Sequence, residues 1–172
     1  MLPEPKRSYF GSVRQEIPEE IRIVQKKDGW CGPAVLSYAL AEQGMIVHQD
    51  DLAESMHVTM AHGVDPKELE KEAEKRGMSV DMIEDKDSQK TLDILDEAID
   101  NGKSVIVDFL DGDSKEDGHY VLYQGRSEGN IHSIDPQTAK MRDIPEAYFI
   151  RHWKDTTISG KIFKRWAMIM ER

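Results

Sequence analysis

Apolar residues recur at helical spacing through Ala34, Val35, Tyr38 and Ala39, with Leu36 and Leu40 close beside them. The pattern predicts a largely buried helix near the start of the chain. Pro33 suits its first turn, where a missing N–H costs nothing, and Gly44 closes it as a C-cap. A second, short helix follows, capped by Asp50 or Asp51, with Leu52, Ala53 and Met56 on one side. After a turn at Gly63-Val64-Asp65-Pro66, residues 67–76 read as a charged amphipathic helix carrying Leu69 and Ala73 and ended by Gly77. Residues 88–101 read as another, with Leu92, Leu95 and Ile99 inward and Gly102 as the stop.

Elsewhere the pattern is that of strands. Residues 21–24 are β-branched apart from Arg22 and predict a short strand. Residues 78–83 place Val80 and Met82 on one face, and Ser104–Leu110 reads as a buried strand. Residues 119–123 and 130–134 predict a hairpin about a turn at 126–129, and residues 163–170 a last strand. Helices come first and a mostly antiparallel sheet follows, which predicts an α+β fold with its helical half packed on the sheet. Residues 1–20, with Pro3, Pro5, Pro18 and many charges, read as an extended arm, and residues 21–172 as a single domain.

Composition narrows the function classes. The chain has 172 residues, enough for one domain with a real core. Mean hydropathy of −0.62 predicts a polar surface. A net charge of −10 argues against nucleic acid as a partner, because phosphate is repelled. No run approaches the ~18 apolar residues of a membrane span. The N-terminus lacks the apolar stretch of a signal peptide. The single cysteine rules out an internal disulfide, and a thiol that must stay reduced fits a cytoplasmic location.

That cysteine, Cys31, lies between a turn at Asp28-Gly29 and the first predicted helix. A helix N-terminus favours a thiolate through its free N–H groups and macrodipole, and the thiolate is the nucleophilic form. Gln25, six residues earlier, could donate its side-chain amide to an oxyanion beside the sulfur, with the Cys31 N–H as second donor. The plainer reading of a lone cysteine is a small buried hydrophobe. Trp30 packs beside the sulfur or forms a cleft wall, and the sequence leaves both open.

Gln25, Cys31, Gly32, Pro33, Ala34 and Leu36 form a Q-x5-C-G-P-A-x-L motif. It resembles the papain-like cysteine peptidases of the C39-like group, whose best-known members trim leader peptides from bacteriocin precursors. The resemblance implies a histidine beside a tyrosine well downstream and then an Asp-Pro. The chain supplies Gly118-His119-Tyr120 and Asp135-Pro136 in that order. The stretch from Tyr148 through Trp153, Asp155 and Gly160 to Trp166–Ile169 also looks like the tail of standalone members. With no transporter helices and no phosphate loop, a standalone papain-like domain is expected.

The resemblance then implies a Cys31–His119 nucleophile–base pair, Asp135 to orient the imidazole, and Gln25 in the oxyanion hole. Trp30 and Gly118 are expected to border the substrate cleft. The substrate is a peptide or protein, and no cofactor is implied. His132 competes as base, but its opposite parity to Asp135 along one strand points the two to opposite faces. His48, His57 and His62, with Asp50 and Asp51, fit no compact metal pattern, and residues 111–118 lack the spacing of a calcium loop, so no metal is expected. Two alternatives stay open: an acyl or γ-glutamyl transferase or transpeptidase using the same triad, and a non-catalytic peptide-binding module.

Overall fold

The computed structural model describes residues 24, 26–27, 29–59, 63–111 and 118–172. The predicted arm at 1–20, most of the strand expected at 21–24, and Gln25, Asp28 and His62 lie outside them. Val24 itself is exposed and belongs to no strand.

Three helices come first: α1 (Cys31–Glu42), α2 (Gln49–Ser55) and α3 (Pro66–Lys75). Then follow β1 (Ser79–Ile83), α4 (Ser88–Asp100), β2 (Ser104–Leu110), β3 (Gly118–Ser127), β4 (Asn130–Asp135) and β5 (Lys140–Pro145). The chain closes with α5 (Glu146–His152), β6 (Lys154–Thr156), β7 (Ile162–Lys164) and β8 (Ala167–Glu171). The main sheet has the order β1-β8-β2-β3-β4-β5, antiparallel at every step, and β6 and β7 form a separate hairpin. This is an α+β fold with the helical half packed on an antiparallel sheet.

Both faces of the sheet are covered. Ile106, Leu122, Ile134, Met168 and Met170 meet α1, α2 and α3 on one side. Val105, Val107, Phe109, Val121, Tyr123 and Ile169 meet α4 and α5 on the other. The alternation along β2 and β3 is the period of two of a strand buried on both faces. Helix α1 is buried from Gly32 to Ala41, so it runs through the core rather than along its surface. It ends in a Schellman turn: Gly44, at φ 83°, donates to Ala41, and Met45 donates to Leu40.

Several expected boundaries move. Asp50 and Asp51 do not cap α2. His48 holds that position, no described side chain caps the helix, and the two aspartates sit in the first turn, where they favour the dipole. Strand β3 runs on to Ser127 through a bulge after Tyr123, so the hairpin turn is Glu128-Gly129 rather than 126–129. The single strand expected at 163–170 is two. Arg165, at φ 51°, breaks it, turning Phe163 toward β6 and Ala167 into the main sheet. Three elements have no counterpart in the expected pattern: β5, α5 and β6. β5 offers one fully buried residue, Ile144, to a sheet edge, too little to register as alternation.

Candidate active site

Cys31 is the first residue of α1 and is half-buried. Among the described residues no side chain caps this helix and no acidic residue occupies its first turn, so none of them counters its N-terminal dipole there. Gly32 lets the helix press on the turn before α3, since a Cβ there would stand 3.1 Å from Val64 Cβ. The same turn is held from the sheet by Tyr120, whose buried hydroxyl donates to the Val64 carbonyl at 2.7 Å.

His119 lies at the start of β3, where the strand emerges from the sheet. The register that pairs Leu122 with Ile134 puts His119 and Asp135 on the same face as each other. His119 Nε2 and Asp135 Oδ1 are 2.8 Å apart. With Nε2 so engaged, Nδ1 is the ring nitrogen left for the Cys31 thiol, which also hydrogen-bonds His119. Burial opposes a charge on the imidazole. The hydrogen bonds to Asp135 and Cys31, and their charges, outweigh it and raise the pKa to about 10. Burial likewise works against the Asp135 carboxylate, but His119, the Gln137 N–H and Arg142 hold its pKa below the ordinary value.

Arg142 ties this group down from β5. It grips Asp111 through two nitrogens, at 2.6 and 2.8 Å, and donates to Asp135 Oδ2 at 3.1 Å. The Asp111 carboxyl is accordingly lowered, first by the Arg142 hydrogen bond. Phe109 carries both rims: Arg142 lies 5.8 Å from its ring centre and His119 meets it edge-on at 6.4 Å. Among the described residues, Asp111, His119 and Asp135 stand close enough to share a metal ion. The Arg142 guanidinium already bridges the two carboxylates and supplies that charge.

The structure thus brings Cys31, His119 and Asp135 together. Gln25 lies outside the described residues. Trp30 precedes the sulfur as the residue before α1, is buried, and has Lys27 Nζ 5.0 Å above its ring. Gly118 is a packing position: a Cβ there would sit 1.5 Å from Asp155 Oδ2. His132 is held elsewhere, between Ser127 at 2.6 Å and Asp143 at 2.7 Å. Arg142 and Asp111 escape sequence reasoning because one lies on an unpredicted strand and the other opens a run of charged residues in the sequence.

Residues 18–160 match the Peptidase C39 like family. No curated protein matches the chain. Among solved structures, the peptidase domain of Streptococcus ComA, a bifunctional ABC transporter of a quorum-sensing pathway, superposes with a TM-score of 0.68 at 19% identity, covering 88% of this chain and 98% of that one. A double-glycine-motif protease from an AMS/PCAT transporter, in complex with its leader peptide, gives 0.65 at 16%, covering 97% and 95%. A Bacillus anthracis protein described as a C39-like peptidase gives 0.66 at 14%, covering 88% and 94%.

Proposed function

The chain belongs to the Peptidase C39 like family, and from that premise we propose that it is a cysteine peptidase working through Cys31, His119 and Asp135. The observation that carries the reading is the part-buried chain of contacts Cys31–His119–Asp135, with the imidazole favoured in its charged form. In this reading a Cys31 thiolate attacks the peptide carbonyl beside an imidazolium already in place. His119 then gives its proton to the leaving amine, and a water it deprotonates releases the acyl group from sulfur. Asp135, fixed by Arg142 and the Gln137 N–H, holds the ring through Nε2. Gln25 and the Cys31 N–H receive the oxyanion, and Trp30 and Gly118 border the cleft.

The substrate in this reading is a segment of a peptide or protein, a class supported by the structural neighbour that holds a leader peptide. The test is cleavage of a peptide library followed by mass spectrometry, with Cys31→Ala beside the parent. The variant removes only a half-buried sulfur, so it is expected to fold and to lose all turnover. Parental cleavage by Cys31→Ala would sink the mechanism.

A further inference from the structure

Asp108 lies on β2, only 1% exposed, facing the α1 side with Ile106 and opposite Tyr120 across the ladder. Its carboxyl accepts the His119 backbone N–H, hydrogen-bonds the Asp155 carboxyl, and feels the charge of Cys31. Its Oδ1 has no hydrogen-bond partner among the described residues. A buried carboxyl left partly open is costly, and in a site it calls for a reason. Asp155 comes from the separate β6–β7 hairpin and occupies the space a Cβ would need at Gly118, the residue before His119. Two carboxyls hydrogen-bond only with a proton between them. Burial first, then the charge and hydrogen bond of Asp155, and then Cys31 push the Asp108 carboxyl well above its ordinary range.

We propose that Asp108 and Asp155, sharing one proton, are a positioning pair for the Cys31–His119 site. Asp108 holds the His119 backbone while staying uncharged beside the sulfur, and Asp155 keeps the proton there. Gly118 is glycine so that Asp155 can close on the strand start. Among the described residues, the groups facing Asp108 are Cys31 from α1, His119 and Tyr120 from β3, and Asp155 from β6. A negative charge on Asp108 would oppose a thiolate at Cys31, and the shared proton removes it. The proposal rests on reading Cys31 and His119 as the reacting pair.

The test is iodoacetamide alkylation of Cys31 in the full chain across pH, read by mass spectrometry, with urea unfolding of each variant. Asp155→Asn offers Asp108 a neutral donor in place of the proton, so Asp108 ionises beside the sulfur. The pH–rate profile is expected to move to higher pH. Asp108→Ala is expected to slow alkylation at neutral pH by roughly ten- to a hundredfold through misplacement of His119. Asp108→Asn, neutral and of the same shape, is expected to recover most of that loss. An Asp108→Ala protein that folds and alkylates at the parental rate overturns the proposal. If that variant does not fold, Asp155→Asn decides alone, and an unmoved profile overturns it. His119→Ala is run alongside. If it leaves alkylation unchanged, the Cys31–His119 reading itself falls, whatever Asp108 does.

Discussion

At the scale of single residues, the His119–Asp135 contact makes stability depend on pH. The imidazole moves from 6.5 to about 10 on folding. A group whose folded pKa is raised contributes stability that is fully present below its unfolded value and is lost as pH rises through the folded one. The His119 contribution is therefore whole below pH 6.5 and fades as pH rises toward 10. Asp135, whose pKa is lowered, works the other way: its share is present above the ordinary carboxyl range and lost in acid. The urea midpoint of the parent is expected to fall between pH 6.5 and pH 10, and Asp135→Asn to flatten that fall by removing the main acceptor. A variant that falls as steeply as the parent would show that the pair is not the source. Arg142 has a different part. Its planar fork fits Asp111 and reaches Asp135 at once, a geometry that lysine cannot copy.

At the scale of elements, the N-terminus of α1 owes its place to two contacts made by other elements. The turn before α3 presses on Gly32, and β3 anchors that turn through the Tyr120 hydroxyl. Tyr120→Phe leaves the Val64 carbonyl without its buried donor, and a lost partner in such a place costs about 1–3 kcal/mol. Urea unfolding is expected to show that loss; an unchanged midpoint would mean that the turn is held by other contacts. The elements legible in the sequence are those whose burial follows a period. Strand β2 appears at its predicted bounds because every residue from Ser104 to Phe109 is buried. Helices α3 and α4 appear within a residue of theirs because Leu69, Ala73, Leu92 and Leu95 mark one face. Helix α5 buries a single residue, Phe149, and the break at Arg165 uses a left-handed backbone at a non-glycine residue, which no local pattern announces. The candidate site divides in the same way. His119 and Asp135 stand in recognisable tripeptide and dipeptide contexts. Arg142, Asp108 and Asp155 matter only through partners distant in sequence, which periodicity cannot reveal.

At the scale of the whole molecule, the sheet separates two cores that bear unequally on the site. Cys31 packs against the core shared by α1, α2 and α3, whereas α4 and α5 cover the opposite face. His119 bridges the two, lying on the α4 side of β3 yet reaching the sulfur where the strand ends. Leu36 and Leu92 are both fully buried, one in each core. Removing either side chain to alanine is expected to cost about 2–5 kcal/mol by transfer loss plus cavity. Their effects on the sulfur should nonetheless differ. Leu36→Ala opens space in α1 itself, within two turns of Cys31, and close-packed interiors relax toward such a void. Leu92→Ala opens space behind the sheet, and β2 and β3 stand between it and the sulfur. Iodoacetamide labelling of Cys31 under native conditions, set beside urea unfolding, is expected to show comparable losses of stability but a changed labelling rate only in Leu36→Ala. Equal changes in labelling would mean that the sheet transmits strain between its faces, so that the site depends on both cores.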